Sequence, residues 1–346
     1  MGSSPSDFYR ANRVPIVFDE FAPNDVGYDD RTREIDTYYE DDYRRKDDDE
    51  NLFHTLHIIP LWYPEALMNG MTLHIKANAK VNLTLRVGNV LDTGMHPIES
   101  IMARVAFSDD IEMTRLDADT RSKYSILWHE NAPRKSEINW AIADDLSVRA
   151  HRLLESTVNH TLPIQLKLEK RIPVGGGLGG GSADAAAVLM GVSQLFDLDF
   201  DLKALALTLG SDIPYLLHGE TCFVRGVGES ATPMEFEFLH LVLIFPSYSC
   251  ATEDVYRAFD ALTPEELHGC NDLLAPACVV APQLATDIEA ITLLCEQEIH
   301  LSGSGSTMFA ICDNEKHASE LVRKIEEQTD CLAIATQTCQ QTLERT

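Results

Sequence analysis

The chain has 346 residues, 45% hydrophobic and 24% charged, a composition that sustains globular cores and fits two domains better than one. Its formal net charge of −27 argues against a nucleic-acid partner, whose backbone needs a basic face. The longest apolar runs, such as Leu241 to Phe245, are far too short for a bilayer, and the N-terminus lacks the apolar heart of an export signal. Neither nucleic acid nor membrane is an expected partner. The eight cysteines are scattered without CxxC spacing and read as reduced thiols of a cytoplasmic protein.

Residues 1–50 are polar and aperiodic, and residues 1–70 hold 16 Asp and Glu against 7 Lys and Arg. This stretch reads as an acidic, largely disordered extension. A loose myristoylation pattern at Gly2 carries little weight, because anionic lipid would repel the acidic segment behind it. From Met71 the pattern changes. "MTLHIKANAKVNLTLRV" predicts a strand, with Leu83, Leu85 and Val87 on one face. Ile142, Leu146, Ala150 and Leu153 recur at helical spacing over Asn139 to Leu154. "PIQLKLEK" alternates strictly, as a half-buried antiparallel strand does. A helix to about Phe196 follows a glycine-rich loop, and a second, "DLKALALTLG", is closed by Gly210. "CFVRGVGE", "HLVLIFPS", "MFAICD" and "CLAIAT" read as strands, with "EKHASELVRKIEE" as a helix between the last two. The mixture predicts an α+β fold with antiparallel sheets rather than a doubly wound parallel one.

The loop puts six glycines into the seven positions from Gly175 to Gly181. Ordering them is costly, because glycine loses more backbone freedom on folding than any other residue. A flexible linker rarely sits between a patterned strand and a helix. Gly175, Gly177 and Gly180 satisfy G-x-G-x-x-G, but a dinucleotide fingerprint needs a buried parallel strand before it and an acidic residue ending the next strand. Here the strand is amphipathic, and "FDLDFDLKAL" follows instead. A P-loop sequence is absent. What remains is a phosphate cradle of another kind, in which glycine N–H groups and the N-terminus of the next helix face a polyanion. Ser182 would cap that helix, and Lys170 and Arg171 would add positive potential.

"PVGGGLGGGSADAA" resembles the phosphate-binding motif of the GHMP small-molecule kinases, and more narrowly the branch acting on 4-diphosphocytidyl-2-C-methylerythritol. "AKVNLTL", "LTLGSDIPYLLHG", "RGVGE" and "LSGSGSTMFA" stand in the family's order, so the resemblance runs from about Met71 to the C-terminal region. It implies a GHMP kinase fold of two domains flanking a cleft, residues 71–236 for ATP and residues 237–346 for substrate. ATP and Mg²⁺ are the implied cofactors, with Ser182 and Asp184 as possible outer metal ligands. ATP would contact Pro173, Gly175, Gly176, Gly177, Leu178, Gly179, Gly180, Gly181, Ser182 and Ala183.

Phosphoryl transfer asks for positioning, charge neutralisation and a group that takes the proton of the attacking hydroxyl. Asp212, between Gly210 and Pro214, otherwise reads as a plain helix N-cap; the resemblance makes it the catalytic aspartate. The same motif matching makes Lys80 the active-site lysine, a cation that eases deprotonation of the hydroxyl. Asn82, His96, Tyr256, Gly303 and Ser304 are the implied substrate contacts, with His96 on a cytosine edge and Ser306 a further candidate. Met95 stands where the family has tyrosine, which removes one aromatic from the base stack. Asp145 stands where asparagine is common. The implied reaction phosphorylates the 2-hydroxyl of a cytidine-diphosphate alcohol. The alternatives are a kinase for another small alcohol, such as homoserine, mevalonate or a sugar, and a nucleotide-binding protein without catalysis.

Overall fold

A computed structural model describes residues 70–340 apart from 236–237, 264–265 and 268. The acidic extension, but for Gly70, lies outside the described residues. Two sheets carry the chain. The first has six strands: β1 (Thr72–Val87), β2 (Ile98–Arg115), β3 (Lys123–Trp128), β4 (Ile164–Lys170), β5 (Cys222–Gly226) and β6 (Ser230–Pro233). Its order is β3-β4-β2-β5-β6, with β1 also paired along β2. The second has four strands in the order β10-β7-β9-β8: β7 (His240–Phe245), β8 (Ile299–Leu301), β9 (Met308–Cys312) and β10 (Leu332–Gln337). The pairing is antiparallel throughout, except that β3 and β4 run parallel. The fold is thus α+β with one mixed and one antiparallel sheet.

Strand β4 shows how pattern becomes position. Ile164, Leu166 and Leu168 are buried while Lys167 and Glu169 face solvent, as alternation requires. Over its buried side lie α1 (Leu146–Val158) and α2 (Gly180–Leu195). The first helix begins seven residues later than the periodicity suggests, because Asp145 caps it: its Oδ1 accepts from the Ser147 N–H at 3.0 Å. Ile142 is left exposed in a short 3₁₀ turn, and Leu154 rather than Leu153 is buried. Helix α2 is rich in small residues, and Ala183, Ala185, Ala186 and Ala187 are all buried where it packs between the sheet and α1. Two short helices follow, α3 (Leu202–Leu209), ended by Gly210, and α4 (Ile213–His218).

The second sheet is covered by α5 (Thr252–Phe259), α6 (Leu274–Val280), α7 (Gln283–Thr292) and α8 (Glu315–Gln328). A third apolar cluster joins the halves: Val81 and Val105 of the first sheet pack with Leu241, Phe245 and Phe309 of the second. Each of these five is fully or almost fully buried. Burying such side chains stabilises by about 1.5–3 kcal/mol apiece, so the sheets are held together by a true core. That joint leaves a cleft beside the second half of β1, the end of β4 and the start of α2.

Candidate active site

The cleft has a volume of about 880 Å³, large for a small-molecule site and roomy enough for more than one ligand. One wall is the loop from β4 to α2. Gly177 and Gly179 hold φ of 75° and 67°, where a side chain is strained. A Cβ at Gly177 would overlap the Ser302 carbonyl, and one at Gly179 would lie 3.2 Å from Lys80 Cγ. The glycines therefore let the backbone press against the opposite wall. Helix α2 starts at Gly180 with Gly179 in the cap position and no side-chain cap. Ser182 is thus not the N-cap but a first-turn residue bordering the cleft. The N–H groups of Gly180, Gly181 and Ser182 have no acceptor within the helix, and its positive dipole end favours an anion there.

Pro173, Gly175, Gly176, Gly177, Gly179, Gly180, Gly181 and Ser182 line the cleft. Leu178 and Ala183 do not; both are buried in the core. Leu178 contributes instead its carbonyl, which accepts from the Lys80 N–H at 3.0 Å. Lys170 borders the cleft, as its expected role requires, whereas Arg171 does not. Lys170 is buried, and its Nζ donates to Asp109 Oδ2 at 2.8 Å and to Asp184 Oδ2. Arg171 pairs with Asp110. Both cations are spent on carboxylates that brace the strand–loop–helix joint, so neither is a free phosphate partner. Asp109 Oδ1 further accepts the backbone N–H groups of Arg171 and Ile172. Asp184, 1% exposed and bound to Lys170, is not placed to reach a metal in the cleft.

Lys80 comes from β1 and Asp212 from the start of α4, and their Nζ and Oδ2 lie 3.7 Å apart. Lys80 Nζ donates to Asn82 Oδ1 at 2.6 Å, and Asn82 Nδ2 donates to Ser100 Oγ at 2.8 Å. This chain of bonds fixes the ammonium in a nearly closed wall. Asp212 occupies a cap position ahead of Pro214, yet its side chain makes no capping bond. Its carboxylate is spared for the cleft.

At the far end stand His96 and Tyr256, with ring centroids 5.1 Å apart. Phe259 meets the His96 ring edge-on at 5.8 Å, and Asp260 Oδ1 lies 2.8 Å from His96 Nε2. Burial, then the nearby Asp212 carboxylate, pushes the Tyr256 hydroxyl up to about 12, so it stays a protonated phenol. Met95 is a half-exposed rim residue.

The turn after β8 closes the remaining side. Ser302 Oγ donates to the Gly177 carbonyl at 2.9 Å, and Gly303 and Ser304 line the cleft. Ser304 Oγ bonds Thr252 Oγ1 at 2.9 Å. Ser306 points its hydroxyl at the Tyr248 carbonyl, 2.6 Å away, and does not border the cleft. Asp145 has both oxygens engaged, Oδ1 by Ser147 and Oδ2 by Trp140 Nε1 at 3.1 Å.

Sequence reasoning missed several residues in and around the cleft, and three of them shape the site. Trp140 and Asp260 both line the cleft. Asn271 donates to the Leu301 and Gly303 carbonyls at 2.8 and 2.9 Å and so ties down the turn. Only Trp140, an aromatic in a polar stretch, carries a local signal of a surface for stacking. The other two are defined by contacts across the fold.

Residues 145–222 match the GHMP kinases N terminal domain. A 4-diphosphocytidyl-2-C-methyl-D-erythritol kinase from Polynucleobacter necessarius subsp. necessarius (strain STIR1) is 30% identical over 273 residues, 74% of this chain and 88% of that one. The chain belongs to the 4-diphosphocytidyl-2-C-methyl-D-erythritol kinase family. A crystal structure of 4-(cytidine 5'-diphospho)-2C-methyl-D-erythritol kinase, 29% identical, superposes with a TM-score of 0.63 over 77% of this chain and 99% of that one. A homoserine kinase from Cytophaga hutchinsonii ATCC 33406 shares the fold, with a TM-score of 0.57 over 79% of this chain and 96% of that one, at 13% identity. Within this kinase family the chain is a small-molecule kinase that uses ATP. Among its described residues, no helix is long and apolar enough to cross a membrane.

Proposed function

We propose that this kinase transfers the γ-phosphoryl group of ATP to the 2-hydroxyl of 4-diphosphocytidyl-2-C-methyl-D-erythritol. The observation that carries the reading is the Lys80–Asp212 pair, 3.7 Å apart, between a glycine cradle and an aromatic base-sized end of one cleft. The relatives at 30% and 29% identity bear the same activity in their names, whereas the likeness to homoserine kinase is one of fold.

The chemistry follows from position. The N–H groups at the start of α2 and the loop backbone hold the triphosphate. The Asp212 carboxylate accepts the proton of the attacking hydroxyl, while the Lys80 ammonium offsets the charge that develops as the O–P bond forms. Asn82 orients Lys80. His96 and Tyr256 hold the base and so place the hydroxyl in line; Gly303 and Ser304 shape the wall beside it. In this assignment residues 71–236 carry the cradle and the reacting pair, and residues 237–346 supply Tyr256 and the Gly303 turn. Among the described residues no cluster of three or more His, Cys, Asp or Glu is placed to cage a metal. The Ser182 hydroxyl, which borders the cleft at the cradle, would be the side chain to hold Mg²⁺, and the ion would supply neutralisation of the phosphate charge. All eight thiols are free, which suits a reducing cytoplasm.

Asp212→Asn tests the assignment. It keeps shape and hydrogen bonding but removes the proton acceptor, so kcat should fall by about 10²–10⁴, with the ATP Kd nearly unchanged. Retention of wild-type kcat would sink the assignment.

A further inference from the structure

The base end of the cleft holds a residue pair whose chemistry goes further than stacking. His96 is almost fully enclosed, its side chain 7% exposed, while its partner Asp260 is 48% exposed. A carboxylate can only accept, so the 2.8 Å bond from Nε2 to Asp260 Oδ1 calls for a proton on Nε2. With a single ring proton placed there, Nδ1 is left as an acceptor. Among the described residues it makes no hydrogen bond, and His96 borders the cleft. The ring plane is held as well, by Tyr256 at 5.1 Å and by the edge-on Phe259 at 5.8 Å. One helix supplies all three supports. Tyr256 and Phe259 lie in α5, and Asp260 is its C-cap, with its own N–H donating to the Tyr256 carbonyl at 3.0 Å. Stack and proton are therefore set by a single rigid element.

We propose that Asp260 is a positioning residue that fixes the His96 tautomer and thereby makes the cleft select a 4-amino pyrimidine over a 4-oxo one. The inference rests on the assignment of this end of the cleft to the cytidine base. A fixed lone pair at Nδ1 accepts an N–H from the exocyclic amine of cytosine. Uracil presents a carbonyl oxygen at the same place, and two acceptors face each other with no proton between them. A carboxylate partner behind a histidine is a general means of setting which ring nitrogen acts. Here it sets the sign of the recognition.

The experiment compares the wild-type chain with Asp260→Asn and Asp260→Glu, offering 4-diphosphocytidyl-2-C-methylerythritol and its uridyl analogue. Asparagine can donate as well as accept, so the Nδ1–H tautomer becomes accessible. The cytidyl-over-uridyl ratio of kcat/KM should fall by about 10- to 100-fold in Asp260→Asn, the cost range of an unpaired buried polar group. The change should sit in KM rather than kcat, and Asp260→Glu should restore most of it. Nitrogen-15 NMR of the histidines should show His96 protonated at Nε2 in the wild type and a mixture in Asp260→Asn. An unchanged ratio, or equal losses on both substrates, overturns the inference. If the wild type does not phosphorylate the cytidyl substrate, the functional reading fails separately. The same comparison then passes to the Kd values of CMP and UMP: a preference for CMP that Asp260→Asn abolishes upholds the tautomer role, and equal affinities in the wild type overturn it.

Discussion

Lys170→Met separates a buried brace from a phosphate contact. The ammonium sits between Asp109 and Asp184, and all three residues are buried. Removing one partner from a buried ion pair destabilises by about 3–5 kcal/mol, a large share of the roughly 5–15 kcal/mol that holds a native fold together. The two carboxylates should not suffer alike. Asp109 retains the Arg171 and Ile172 N–H groups. Asp184 has an Oδ1 with no hydrogen-bond partner, and burial already pushes its carboxyl well above the usual range. The loss therefore falls on Asp184, and adding Asp184→Asn should recover more than half of it, a coupling visible in a double-mutant cycle. Because the folded pKa is raised, the penalty vanishes below the unfolded value of about 4 and grows as pH rises towards the folded one. The gap between variant and wild type should thus shrink on acidification. Urea unfolding at several pH values, followed by circular dichroism, reads all of this. A Lys170→Met protein that unfolds at the wild-type urea concentration but binds ATP tenfold more weakly would refute the reasoning and return Lys170 to the phosphates.

Gly177→Ala should raise the ATP KM at least about tenfold in a folded protein. The left-handed backbone strains any side chain by about 1–2 kcal/mol, and the new Cβ overlaps the Ser302 carbonyl, displacing one wall from the other. An unaltered KM, with native circular dichroism, would rule out the tight docking. His151 is fully buried, with Nε2 donating to the Leu162 carbonyl and Nδ1 accepting from the Tyr124 hydroxyl, each at 2.8 Å. Burial lowers its pKa, so its contribution to stability is whole above the unfolded value of about 6.5 and is lost as pH falls through the lower folded one. His151→Gln should flatten the stability profile between about pH 7 and 5, and parallel profiles would remove His151 from the account.

What could be read in advance was what local pattern controls. The alternation of Ile164, Leu166 and Leu168 defines a strand whatever lies beside it, and the glycine run between that strand and a helix demands a close-approach loop. Lys80 and Asp212 were legible only through motif likeness; nothing within either segment says that residues 132 positions apart meet at 3.7 Å. The misreadings share a cause. "EKRIP" looks like a basic edge before a phosphate loop, but Asp109 is 61 residues upstream and becomes a neighbour only through the β2–β4 register. Ser182 follows the glycines as an N-cap would, yet Gly179 already takes the left-handed turn and the helix starts early. Asp260 reads as an ordinary charge at a helix end until the loop bearing His96 folds onto it. Side chains that serve by touching another segment leave no periodic trace.

The most direct test of the central claim is product mapping. Purified protein is given ATP and 4-diphosphocytidyl-2-C-methylerythritol, beside homoserine, mevalonate and galactose, and the products are followed by phosphorus-31 NMR. The account predicts one new phosphomonoester, on the 2-hydroxyl of the cytidyl substrate, with stoichiometric ADP and no turnover of the other alcohols. Phosphorylation of another alcohol in preference, or no transfer to any of them with ATP bound, would contradict it.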